Sequence, residues 1–285
     1  MLAFRSLAFH QMLPAFCCFV ALVCCADATL AEHEGKVQVL LLGDSTTIGS
    51  VCRRTEPQSA DLEDVIRELL AAEKDLPPVN VINLGRDGEF IHGLLTGRYE
   101  RDVAKQVGVD YIFIRYGLND LSKRENFAEN FPNDYRELIA RLREDFPTAV
   151  LVPSTTIPYL SPEKDEQLLD AIRQVGKSAN LPVFDVYTRY AAELEKGSNM
   201  LNYRRFPHEK IPEPHREWTK RYLQSGSVVV MDNRLDAHFG HLEGWYSDRH
   251  PSPAGYHVIG DETAKYLAKL LRTRVAEGEK PAKPE

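Results

Sequence analysis

Residues 36–47 read KVQVLLLGDSTT, and the fold turns on how this stretch is read. An apolar run without alternation, rich in Val and Leu, marks a strand buried on both faces, as parallel sheets require. Four more runs follow, VNVINLG (79–85), DYIFIRYG (110–117), AVLVPSTT (149–156) and PVFDVY (182–187). Between them lie ADLEDVIRELLAAEK (60–74), LLTGRYERDVAKQVG (94–108), NDYRELIARLREDF (133–146) and EKDEQLLDAIRQVGKSAN (163–180). Their apolar positions recur three or four apart, the period of an amphipathic helix. Strand and helix in alternation predict an α/β domain, a parallel sheet with helices on both faces joined by right-handed crossovers.

The pattern holds over residues 36–272 apart from one interruption. After the helical RYAAELEKG (189–197), residues 197–245 show no sustained period beyond a short helix in PHREWTKRYLQ (214–224) and a strand in SVVVMD (227–232). A segment of this kind inside a compact domain predicts a functional loop or lid. A last helix, SPAGYHVIGDETAKYLAKLLRTR (252–274), precedes a Pro- and charge-rich tail, and residues 273–285 are expected to be disordered.

Residues 1–31 differ from the rest: Arg5, then the apolar LPAFCCFVALVCCA (13–26), then small residues at Ala28 and Ala31. This is the form of a secretory signal peptide cleaved after one of those alanines, and it predicts an exported, periplasmic or extracellular, protein. The apolar run falls short of the roughly 20 residues that span a bilayer, so no membrane span is expected in the mature chain. Cys17, Cys18, Cys24 and Cys25 go with the leader, leaving Cys52 alone. An intramolecular disulfide is then impossible, and Cys52 reads as a small buried side chain. With 43% hydrophobic and 27% charged residues in 285, the chain can bury a sizeable core and does not belong to the disordered class. A net charge of −7 gives no footprint for nucleic acid or an anionic membrane surface, both of which reward clustered Lys and Arg. Nothing in the sequence sets an oligomeric state.

In open parallel sheets ligands bind at the carboxyl ends of the strands. The segments there read GDSTT, NLGRDGE and YGLND, and SDRHP precedes the last helix. Each has an ordinary reading, since a serine after a strand serves most often as a helix N-cap, RDG is a turn and ND starts helices. Together they hold a hydroxyl, Ser45, that needs a base, and a histidine, His250, able to serve as one. They also hold two sources of oxyanion donors, the backbone N–H of Gly88 and the amide of Asn119.

These four blocks in this order resemble those of the SGNH, or GDSL-like, hydrolase superfamily, over roughly residues 37–272. The resemblance implies a flavodoxin-like three-layer sandwich with five parallel strands and an ester hydrolase without metal or organic cofactor. It makes Ser45 the nucleophile and its own N–H an oxyanion donor, Gly88 (or, less well matched, Gly85) the second donor, Asn119 the third, and His250 the general base. The family's acid stands three residues before the histidine, where this chain has Ser247, while Asp248 stands two before. Asp248 acting through a tight turn is the preferred reading. The alternatives are another acid, Asp232, Asp236 or Glu243, or a Ser–His dyad alone.

Two features of the insertion invite further readings. DAHFGHLE (236–243) places His238 and His241 three apart between Asp236 and Glu243, but completes no known zinc spacing, and no metal is expected. Tyr203, Arg204, Arg205, Phe206, Trp218, Trp245 and Tyr246 are candidates to stack on a sugar or hold an acidic group, or to pack the insertion onto the sheet. The expected substrate is a small-molecule or carbohydrate ester, O-acetylated carbohydrate first. A lysophospholipase or thioesterase of the same superfamily, and a catalytically impaired carbohydrate-binding protein, are the alternatives.

Overall fold

The computed structural model describes residues 35–197 and 200–276. The signal-peptide reading of residues 1–31 lies outside them, as does the tail from 277 on. Strand β1 (Val37–Gly43) is followed by two short helices, α1 (Ser45–Ile48) and α2 (Ser50–Thr55), and by α3 (Leu62–Ala72). Next come β2 (Val79–Asn83), α4 (Ile91–Gly97) running into a π-helical turn at Tyr99–Val103, β3 (Tyr111–Arg115), α5 (Leu118–Lys123) and α6 (Phe127–Asp145). Strand β4 (Val150–Pro153), α7 (Pro162–Ser178) and α8 (Tyr187–Glu195) lead to the insertion, and α11 (Pro253–Ala276) closes the described chain.

All of β1 is buried, because it lies inside a parallel sheet of order β2-β1-β3-β4. Its side chains alternate between two cores, as the two-residue period of a strand demands. Val37, Val39 and Leu41 join one core with Leu62 and Ile66 of α3 and Ile259 and Leu267 of α11. Leu40 and Leu42 join the other with Leu94 of α4, Tyr135 and Leu138 of α6 and Leu168 and Ile172 of α7. Each such side chain contributes about 1.5–3 kcal/mol by leaving water. The result is a three-layer α/β sandwich, with the carboxyl ends of the strands on one edge.

The sheet has four hydrogen-bonded strands where five were expected. PVFDVY lies in the fifth position but makes only one parallel bridge, Phe184 with Ser154. Phe184 donates to the Pro153 carbonyl at 2.8 Å and accepts from Thr155 N–H at 2.9 Å. Then side chains take over the backbone. Thr155 Oγ1 accepts from the N–H groups of Val186 and Tyr187 at 2.9 and 3.0 Å, and Asp185 accepts from Thr188 N–H at 3.2 Å and Oγ1 at 2.7 Å. Side-chain bonds of this kind offer the backbone an alternative to the ladder, and the chain turns into α8.

Residues 200–245 of the insertion are ordered rather than irregular. They hold β5 (Arg204–Pro207), α9 (Glu213–Thr219), β6 (Leu223–Gln224), β7 (Ser227–Val230) and α10 (Asp236–Phe239), the strands forming an antiparallel sheet of order β5-β7-β6. Ser225 and Gly226 both have positive φ, 47° and 82°, as a two-residue hairpin turn requires. Phe206, Ile211, Val228, Val230, Leu235, Phe239 and Trp245 form a separate small core. The last helix runs to Ala276, a few residues into the segment expected to be disordered. Among the described residues no helix is long and apolar enough to cross a membrane.

Candidate active site

The turn after β1 is so tight that only glycine fits at its start. A Cβ on Gly43 would lie 2.0 Å from Thr47 Oγ1 and 2.9 Å from the Arg115 carbonyl oxygen. Asp44, not Ser45, caps α1, its Oδ1 accepting from the N–H and the hydroxyl of Thr46, both at 2.8 Å. Ser45, the first residue of the helix, is therefore released from capping, and its Oγ lies 2.9 Å from His250 Nε2. Burial drives the Asp44 carboxyl upward, and the bonds from Thr46 and the charges of Arg115 and His250 offset only part of this.

The other ring nitrogen resolves the spacing problem of SDRHP. Asp248 Oδ1 accepts the backbone N–H of His250 at 3.0 Å and faces His250 Nδ1 at 2.7 Å. An aspartate that bonds the N–H two residues on forms an Asx turn. That turn folds the carboxylate back beside the imidazole, so a two-residue spacing delivers the same contact. Burial opposes ionisation of Asp248, but the hydrogen bonds and charge of His250 and the charge of Arg205 prevail and hold its carboxyl below the ordinary range. The other acids are engaged elsewhere or exposed: Asp232 pairs with Arg234 at 2.6 Å, Asp236 with Arg204 at 2.5 Å, and Glu243 is on the surface.

The cleft around Ser45 and His250, about 580 Å³, is also lined by Gly88 and Asn119. The two candidate glycines differ in role. Gly85 donates its N–H to Asn83 Oδ1 at 3.0 Å, and a Cβ there would meet Ile48 N at 2.8 Å, so it is a packing glycine under α1. Gly88, with φ of +69°, faces the cleft. Helix α5 holds this corner together. Asn119 Nδ2 lies 3.4 Å from Asp44 Oδ2, Asp120 Oδ1 accepts Ile91 N–H at 2.9 Å at the start of α4, and Lys123 Nζ donates to the Gly88 carbonyl. Burial pushes the Asp120 carboxyl up to about 7.

Three aromatic or cationic residues complete the surroundings of the imidazole. Tyr203 stacks on it at 5.7 Å and 13°, and Tyr159 meets it edge-on at 5.1 Å with its hydroxyl 3.0 Å from Nδ1. Arg205 Nε lies 3.1 Å from Asp248 Oδ2. Of the seven insertion residues considered from the sequence, only Tyr203 and Arg205 line this cleft. Phe206 and Trp245 are core, and Arg204 is buried against Asp236. Tyr159 was missed, although it follows β4 and so stands near a strand's carboxyl end, where the same rule would have found it. Cys52 is buried, its thiol donates to the Pro251 carbonyl at 3.2 Å, and burial pushes that thiol up to about 12. His238 packs against His215, Trp218 and Phe239. Among the described residues no three His, Cys, Asp or Glu side chains group as metal ligands.

A hydroxyl, an imidazole and a carboxylate stand in series at the carboxyl edge of the parallel sheet, an arrangement that acyl transfer through a serine would use. The sequence pattern of the GDSL-like lipase/acylhydrolase family matches residues 41–258, and the chain belongs to that family, a carboxylic ester hydrolase by membership. No curated protein matches the chain. Among solved structures, a catalytic mutant of Axe2, an acetylxylan esterase from Geobacillus stearothermophilus, is similar at 17% identity and a TM-score of 0.53, over 82% of this chain and 95% of that one. A structure described as a GDSL-like lipase from Parabacteroides merdae is similar at 17% identity and a TM-score of 0.50, over 82% and 97%. At such identities the likeness is one of fold.

Proposed function

We propose that this ester hydrolase is exported and removes O-acetyl groups from carbohydrates through an acyl-enzyme on Ser45. The observation that carries the mechanism is the unbroken series from Ser45 Oγ to His250 at 2.9 Å and from His250 to Asp248 at 2.7 Å. His250 Nε2 takes the Ser45 proton as Oγ attacks the ester carbonyl, and the oxyanion that forms is met by the N–H groups of Ser45 and Gly88 and the amide of Asn119. Collapse breaks the bond to the alcohol, which leaves with the proton from His250. Water, deprotonated by the same imidazole, then attacks the acyl-enzyme, releasing the acid and restoring the Ser45 hydroxyl.

For the substrate, the supporting features are a cleft of about 580 Å³ bordered by Tyr159, Tyr203, Arg54, Asp87 and Arg205. Aromatic faces and polar groups of this kind suit a sugar better than an acyl tail. The acetylxylan esterase among the structural neighbours agrees with this reading without carrying it. A p-nitrophenyl ester series tests it. Acetate is expected to be the best substrate, with kcat/KM falling by about 10-fold or more by the octanoate. A maximum at eight carbons or longer would replace this reading with a lysophospholipase or thioesterase.

A further inference from the structure

The acid–base pair of this site is assembled from two pieces of chain, and one of them belongs to the insertion. Residues 201–205 run along the SDRHP loop. Ser252 N–H donates to the Leu201 carbonyl at 2.7 Å, Asn202 bridges Pro251, and Tyr203 N–H donates to the His250 carbonyl at 3.2 Å. Successive side chains of a strand point to opposite faces. Arg204 accordingly turns inward to Asp236, 1% exposed, while Arg205 turns toward Asp248.

We propose that Arg205 is a positioning residue for the reaction, fixing the Asp248 carboxylate so that the short Asp-x-His spacing can support catalysis. In the Asx turn, Asp248 Oδ1 carries two bonds, one to its own loop and one to the imidazole, at 3.0 and 2.7 Å. Those bonds share one oxygen and leave rotation of the carboxylate about its Cβ–Cγ bond unopposed on the other side. Arg205 Nε holds that other oxygen, Oδ2, at 3.1 Å. The guanidinium is itself placed by Tyr203, whose ring lies 5.4 Å beneath it and whose hydroxyl accepts from it. Tyr203 in turn stacks on the imidazole. Arg205, Tyr203 and Asp248 thus form one closed set around His250. The insertion is on this account a working wall of the active site and not only a cover.

The inference rests on the reading of Ser45, His250 and Asp248 as the reacting set. The groups facing the imidazole are Asp248 on its own loop, Ser45 of α1, Tyr159 after β4 and Tyr203 of the insertion. Arg205 acts across Asp248, and Asp44 and Arg115 lie further below. Removing the Arg205 cation leaves the Asp248 charge less neutralised and so favours the imidazolium. The test measures kcat and KM on p-nitrophenyl acetate across pH for the full chain and for Arg205→Ala, Arg205→Lys and Ser45→Ala, each checked by thermal melting.

Arg205→Ala is expected to lower kcat by about 10- to 100-fold, the cost of a loosened catalytic geometry, with KM changed by less than about twofold if substrate does not depend on it. The acidic limb of kcat/KM is expected to move up by roughly 0.5 pH unit, the effect of one charge several ångströms away in a solvated site. Arg205→Lys, which keeps the charge, restores the limb but not the full kcat, and it decides the question if the alanine variant does not fold. An unmoved limb with kcat retained in the folded variants, or a change in KM alone, would overturn the inference. Full activity in Ser45→Ala would instead overturn the mechanism on which it rests, so the two failures are distinguishable.

Discussion

Ser45→Ala is expected to lower kcat for ester hydrolysis on the order of 10⁵-fold, with KM little changed and the fold intact. The size follows from the roles assigned: without Oγ there is no acyl-enzyme, and the donors around Gly88 and Asn119 are left to act on an attack by water alone, which recovers only a small residue of the rate. The fold should not suffer, because Asp44 supplies the cap of α1 and, among the described residues, the Ser45 side chain bonds only to His250. A melting curve within a degree or two of the parent, beside the lost activity, is the expected pair of results. Activity retained in the alanine variant would show that another nucleophile does the work.

The second large effect is expected at Asp248. Asp248→Asn keeps the size of the side chain and an oxygen for the Asx turn, but removes the charge that stabilises the imidazolium and fixes its tautomer. A loss of about 10³- to 10⁴-fold in kcat is expected. Ser247→Ala, at the position where the family's acid normally stands, should change kcat by less than about twofold, since Ser247 is exposed. The carboxyl of Asp248 is held below its ordinary range, which fixes the sign of the pH effect. Its contribution to stability is fully present above the unfolded carboxylate's pKa and is lost as pH falls through the lower folded one. The parent should therefore lose melting temperature in acid more steeply than Asp248→Asn, and both should level off toward neutral pH. Equal activity of the two chains would point to a dyad of Ser45 and His250.

What the sequence made legible follows from how local each signal is. The β1 run and the strand-end blocks are contiguous, and their residues are placed by the strand they follow, so Ser45, Gly88, Asn119 and His250 could be named as candidates from the sequence, and all four line one cleft. Asp248 stayed doubtful because residue spacing says nothing about side-chain direction, which an Asx turn alone decides. The insertion read as irregular because its strands are two to four residues long, too short for any period, although Ser225-Gly226 between two β-like segments was a hairpin signal. The fifth strand failed for a different reason. Its composition is that of a strand, but Thr155 and Asp185, one on each side of the bridge, capture the backbone and the neighbouring hydroxyl. Tyr159 was within reach of the strand-end rule, since it follows β4, but the sequence could not say that Arg205 meets Asp248, because that contact is a tertiary one. For Arg205 the informative fact is which face of β5 it occupies, and its neighbour Arg204 has the same chemistry and the opposite role.

The departure of the fourth block from the family pattern gave the only ground for expecting a binding protein that had lost its chemistry. With Asp248 at 2.7 Å from the ring, that ground is removed. What remains to be measured is reactivity. The most direct measurement is labelling of the purified protein with a serine-directed fluorophosphonate, followed by mass spectrometry of its peptides. The account predicts one adduct, on the peptide holding Gly43-Asp44-Ser45, absent in Ser45→Ala and strongly slowed in His250→Ala. An unlabelled parent, or an adduct on any other residue, would contradict it.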